Sequence, residues 1–177
     1  MNVLVDTSTD PVAIRHFATT DELIDYLIEK ESGSCSFMTN LPINPLTLAQ
    51  RLLKHFRAET LSFSTFTLPT EVTLKDFREL HENGIVKTIN AIVPGHQIRT
   101  SDIISRGKTV DLCRLTGGYC KALQNHSKTL TIEGERNITI LASSNFAGTQ
   151  AIENYTVIYG IETAKAVNEY FQSKFYD

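Results

Sequence analysis

The chain has 177 residues, 41% hydrophobic and 21% charged, a balance that suits a soluble globular protein with one sizeable core. A formal charge of -3 and a pI near 6.0 exclude a uniformly basic nucleic-acid coat protein, though not a local basic groove. No apolar run approaches the roughly 18 residues of a membrane helix. Met1-Asn2-Val3-Leu4-Val5-Asp6 carries neither the basic region nor the apolar stretch of a secretory leader. The three cysteines, Cys35, Cys113 and Cys120, are odd in number and contain no CxxC pair. Neither a disulfide framework nor a thiolate zinc site is therefore expected, and all three read as reduced packing thiols. With no repeat, linker or low-complexity tract, one cytoplasmic domain over residues 1–177 is expected.

In chain order, Thr20-Asp21-Glu22 opens a helix with Leu23, Ile24, Leu27 and Ile28 on one face and Thr20 as its cap, and Ser32-Gly33-Ser34 stops it. Cys35–Met38 predicts a short strand. Pro42 and Pro45 lead into a second helix, buried through Leu46, Leu48, Leu52, Leu53 and Phe56. Leu61–Leu68 alternates apolar with small hydroxyl residues, as a strand with one buried face does. Thr70 caps a helix carrying Val72, Leu74, Phe77 and Leu80, closed by Asn83-Gly84. Ile85–Val93 is the next strand, and residues 96–108 read as a surface loop. Thr109–Leu115, Ser127–Ile132, Asn137–Ser143 and Tyr155–Tyr159 read as further strands. Glu162–Phe175 reads as a closing helix with Ala166, Val167, Tyr170 and Phe171 inward. The pattern predicts an α/β protein: a mixed sheet with helices on its faces.

Chemistry concentrates in His126-Ser127-Lys128, Glu133, Ala142-Ser143-Ser144-Asn145 and Glu153-Asn154. On a strand, His126 and Lys128 share a face. An imidazole beside an ammonium suits attack on a bound phosphoryl group, the lysine offsetting charge that grows on the equatorial oxygens. Asn145, at the end of the following strand, is expected to donate its amide to the same phosphate, and Glu153 to accept from an imidazole N–H. His16, His55, His81 and His96 lack such company. No GxxxxGK[ST] or GxGxxG occurs, so Gly117-Gly118 reads as a turn and not as a phosphate loop.

This ordered set resembles the phospholipase D-like (HKD) superfamily, whose signature is HxK, four residues, Asp, then GSxN. Here it reads His126-Ser127-Lys128, four residues, Glu133, eight residues, Ala142-Ser143-Ser144-Asn145. The likeness is strongest over about residues 109–175 and points to the small single-motif nucleases. Glu133 stands where the family has Asp and Ala142 where it has Gly.

The resemblance implies a mixed β-sheet flanked by helices on both faces, and a homodimer whose active site two copies share. It implies a metal-independent, cofactor-free phosphodiesterase in which His126 forms a phosphohistidine. The partner's imidazole then protonates the leaving oxygen and activates water. Lys128 and Asn145 hold phosphate oxygens, Glu153 orients the histidine, and Glu133 and Ser143 support the network. DNA or RNA is the expected substrate. Arg99, Arg106, Lys108, Arg114 and Lys121 are candidates for a basic rim, set against a solvated face as the plainer reading. With no Trp, no stacking platform for single strands is indicated. Two alternatives stand beside this: a non-catalytic dimeric scaffold, and a diesterase or transferase acting on phospholipid or another small diester. Whether a helper protein supplies targeting is left open by the sequence.

Overall fold

In chain order the elements are β1 (Val3–Asp6), β2 (Ala13–His16), α1 (Thr20–Glu29), β3 (Gly33–Thr39), α2 (Pro45–Leu52), β4 (Ala58–Ser64) and α3 (Glu71–Glu82). They continue with β5 (Val86–Pro94), α4 (Thr100–Leu115), β6 (Cys120–Leu123), β7 (Thr129–Gly134), β8 (Ile138–Ala142), β9 (Glu153–Tyr159) and α5 (Ile161–Tyr176). This is a computed structural model, which describes residues 2–7, 13–95, 100–143 and 153–176. The strands form one nine-stranded sheet in the order β2-β1-β3-β9-β8-β7-β4-β5-β6. Only β4–β5 and β5–β6 pair in parallel; the other neighbours are antiparallel.

Strand alternation sorts the side chains into two faces. Leu61, Phe63, Leu130, Ile132, Ile138, Ile140 and Val157 lie on one face and are fully buried. Each such Leu, Ile or Phe contributes about 1.5–3 kcal/mol through its burial. The Tyr155 hydroxyl donates to Ile43 O (2.8 Å) and the Tyr159 hydroxyl to Leu27 O (2.7 Å), which seats α1 and the entry to α2 on this face. The opposite face carries Ser62, Thr131, Thr139 and Glu133, and α5 crosses it. There Asn168 of α5 accepts from the Thr131 hydroxyl (3.0 Å) and donates to the Glu133 carboxylate. The expected mixed sheet with helices on both faces is therefore present.

Several local expectations are corrected. Residues 100–115 are one helix, α4, and not a loop followed by a strand at Thr109–Leu115. β-Branched Ile103, Ile104, Thr109 and Val110 together with Gly107 imitate strand composition there, although tertiary packing imposes the helix. β4 ends at Ser64 rather than Leu68, and β7 begins at Thr129 rather than Ser127. The α1 cap is Thr19, whose hydroxyl accepts from Glu22 N (3.2 Å). On α5 the inward residues are Ala164, Asn168 and Phe171, while Ala166 is exposed and Tyr170 is 59% exposed. A polar residue inside the stripe disguises its phase. The strands β1, β2 and β6, four residues each, are too short to show a period in the sequence.

Candidate active site

Three strand ends meet at one margin of the sheet: the start of β7, the end of β8 and the start of β9. Ala142 N donates to Lys128 O (3.0 Å), and Ser143 N donates to Asn154 O (2.9 Å). These two bonds place residue 128 beside 142, and 143 beside 154. The Ser143 hydroxyl donates to Glu153 Oε2 (2.6 Å) and accepts from Asn154 N (2.9 Å). Lys128, Ser143 and Glu153, remote in sequence, are thus held in one neighbourhood.

His126 and Lys128 precede the strand rather than lying on it. What gathers them is Phe66, in the segment that follows β4. The His126 ring stacks on Phe66 with centroids 4.0 Å apart and planes at 30°. Lys128 Nζ stands 5.6 Å from the same ring centre and donates to His126 O (3.1 Å). A shared aromatic support thus does what strand pleating was expected to do. His126 is exposed and Lys128 half-buried, so the imidazole is open to a solute.

Asn125 fastens this segment to β4. Its side-chain amide donates to Ser64 Oγ (2.6 Å) and Thr65 O (3.2 Å), while its carbonyl oxygen accepts from Ser127 N (2.9 Å). That last bond closes an Asx turn around His126. Sequence reasoning missed both Phe66 and Asn125. The signal for Phe66 is a change of phase: the apolar positions run 61, 63, then 66, 68, so the alternation breaks after Ser64.

Glu133 sits at the far end of β7, where Asn168 holds it away from His126. Ala142 lies in regular β8 opposite Tyr155, and no non-glycine residue among those described has a positive φ, so this position needs no glycine. Both departures from the signature therefore fall where the backbone tolerates them. Asn145 and Arg99 lie outside the described residues.

The other basic candidates are spread out. Arg106 and Arg114 line a groove between α4 and β6 together with Asp111, and Arg106 Nη1 reaches Gly95 O (3.5 Å). Lys108 is ion-paired to Glu71 of α3 (2.6 Å), which holds the Glu71 carboxyl below its ordinary range. Lys121 lies two residues beyond Tyr119, which stacks on Phe175 of α5, and so faces the other side of the sheet. Among the described residues no group of three or more His, Cys, Asp or Glu is placed to hold a metal ion. No described helix is long and apolar enough to cross a membrane.

No family model matches the sequence, nor does any curated protein. Solved structures do match. Nuc from Salmonella typhimurium, described as a phospholipase D family member, is 15% identical with a TM-score of 0.55, over 71% of this chain and 83% of its own. This chain has the phospholipase D fold. NucT from Helicobacter pylori is 12% identical with a TM-score of 0.51, over 98% and 94% of the two chains. TrmBL2, an archaeal chromatin protein described with a novel mode of DNA binding, is 17% identical with a TM-score of 0.54, over 86% of this chain and 56% of its own. At such identities the shared property is the phospholipase D fold.

Proposed function

We propose that the chain is a metal-independent phosphodiesterase acting on nucleic acid, with a covalent phosphohistidine and an active site completed by a second copy. The observation that carries this reading is the meeting of His126 and Lys128 over Phe66, beside the Ser143–Glu153 pair, in a phospholipase D fold. One His126 Nε2 attacks phosphorus, the P–O bond to the leaving group breaks, and the facing copy's imidazolium gives that oxygen its proton. The same facing imidazole then takes a proton from water, which displaces the first histidine. Lys128 neutralises charge on the non-bridging oxygens, Asn145 donates to them, and Glu153, braced by Ser143, orients the imidazole.

One feature favours nucleic acid over lipid. TrmBL2, part of which shares this fold, is described with a novel mode of DNA binding.

The reading is tested by turnover of bis-p-nitrophenyl phosphate and of plasmid DNA after dialysis against EDTA. Full activity without divalent metal is expected for both. Cleavage of neither would leave a phosphate-binding scaffold, and turnover of phosphatidyl substrates alone would favour the lipid enzyme.

An exposed apolar strip beside the site supports the pairing of two copies. α5 leaves part of its face of the sheet open, and beside the site that part shows apolar Leu141 (40% exposed), paired with Thr129, and Met38 (49% exposed), paired with Asn154. The chain is expected to sediment as a dimer at micromolar concentration. The double variant Met38→Asp/Leu141→Asp should sediment as a monomer and lose turnover in parallel.

Asn125 acts here as a positioning residue. Asn125→Ala should lower kcat by about a hundredfold with KM nearly unchanged, because a misplaced nucleophile costs rate rather than ground-state binding. Equal loss in kcat/KM through KM alone would contradict that role.

A further inference from the structure

The sheet ends at β6, whose outer edge is open. Ala91 N donates to Tyr119 O (2.8 Å) and Gly95 N to Leu123 O (2.8 Å), so the odd-numbered residues here turn their backbone groups toward β5. By alternation, Cys120 and Ala122 direct N–H and C=O away from the sheet. No described strand pairs with them on that side. A row of such groups is a template for a further strand.

α4 forms a wall beside that edge. Between helix and strand lies a groove of about 480 Å³, with Val93, Ile103, Val110 and Ala122 as its apolar lining and Arg106 and Arg114 as its cations. Ile103 is 53% exposed, and Ala122 is exposed as well. Gly107 also lines this groove, in mid-helix, with nothing within 4 Å of a Cβ built there. Glycine is a poor helix former, and no neighbour among the described residues requires it at this position. Its effect is to keep the groove clear for the backbone and side chains of another chain.

We propose that this groove receives an extended peptide of another protein, added as one more strand on β6, with acidic residues four apart and an apolar one midway. The spacing follows from the two elements. Arg106 and Arg114 are eight residues apart, about 12 Å along α4. Four residues of an extended strand cover about 13 Å, and residues i, i+2 and i+4 turn to the same side. Carboxylates at i and i+4 thus meet the two guanidiniums, while the side chain at i+2 settles over Gly107 and Val110. The peptide's own backbone supplies hydrogen-bond partners for Cys120 and Ala122. A nucleic-acid strand fits less well. It has no alternating donors and acceptors to match the edge, and its evenly spaced phosphates would also meet Asp111, which lies between the two arginines on α4. A peptide keeps its acids at the two ends.

The inference does not depend on the phosphodiesterase reading. In its test the whole protein is titrated into a fluorescein-labelled nonapeptide, Lys-Thr-Glu-Thr-Val-Thr-Glu-Thr-Lys, and anisotropy is followed. Saturable binding is expected, weaker by about tenfold or more when both Glu are replaced by Gln. Residue-resolved amide exchange should slow at Cys120 and Ala122 when the peptide is bound. Gly107→Leu fills the groove at an exposed helical position with a good helix former. That variant should melt no lower than wild type and bind the peptide about tenfold more weakly or worse. No saturation up to about 0.5 mM protein would overturn the proposal, as would undiminished binding by Gly107→Leu or unchanged exchange at Cys120 and Ala122. Two further results would overturn it by naming another occupant. Gly107→Leu sedimenting as a smaller species than wild type would give the groove to a second copy. Loss of affinity for a short DNA strand in Gly107→Leu, with no peptide binding by wild type, would give it to nucleic acid.

Discussion

His126→Ala should lower turnover of bis-p-nitrophenyl phosphate on the order of 10⁴-fold or more, because it removes the nucleophile from both copies at once. The loss should appear in kcat at saturating substrate, since the ring makes the bond that defines the intermediate and contributes little to ground-state affinity. The fold should survive. His126 is exposed and its main contact is the Phe66 ring, so its removal costs stability of about 1 kcal/mol or less. Thermal melting within a few degrees of wild type, with turnover at background, is the expected pair of results. Wild-type turnover in a well-folded His126→Ala protein would remove this residue from the mechanism, and with it the shared-site reading.

Gly118→Ala should be the most damaging conservative change in the second half of the chain. A Cβ at this position would lie 2.0 Å from Ile89 O, 2.8 Å from Ile89 C and 2.9 Å from Asn90 Oδ1, and two of those three atoms are backbone of β5, which is paired on both sides. Relief requires the turn to lift off β5. Lifting it breaks the bonds that Thr116 and Tyr119 make there: Ile89 N to Thr116 Oγ1 (3.0 Å), Tyr119 N to Asn90 Oδ1 (3.0 Å) and Ala91 N to Tyr119 O (2.8 Å). A loss of about 3 kcal/mol is expected, roughly 10 °C in Tm for a chain of this size. Gly84→Ala provides the comparison. Gly84 has φ +69 with nothing within 4 Å of a built Cβ, so its cost is conformational alone, about 1 kcal/mol. Paired melting curves check the order; a milder effect at 118 than at 84 would contradict the tight seat of this turn.

The legible parts of the fold are those where local and tertiary preferences agree. α3, with Thr70 before it and Gly84 after it, and the strongly apolar strands β5 and β8 follow directly from composition. α4 does not, because its Ile, Thr, Val and Gly content favours strand or turn in isolation, and packing against β5 and α3 overrides it. At the candidate site, His126, Lys128, Ser143 and Glu153 are legible from motif order. Phe66 and Asn125 are not, because their importance comes from β4 lying beside β7, a pairing between residues 65 to 76 positions apart that no short window contains. The dispersal of the basic candidates has the same origin: Lys121 belongs to a strand and Lys108 to a helix, so nearness in sequence does not put them on one surface.

The pairing of β4 has a consequence for how the molecule comes into being. β4 and β5 can associate as soon as α3 has linked them, but the other neighbour of β4 is β7, supplied only by residues 129–134. While a ribosome is still adding the intervening stretch, one flank of Leu61–Ser64 offers free amide and carbonyl groups beside greasy side chains. A nascent chain in that state is open to strand addition by another molecule. Slow emergence of β7 should therefore favour entanglement between neighbouring ribosomes' products, and holdase chaperones that mask such flanks should raise the yield of native protein.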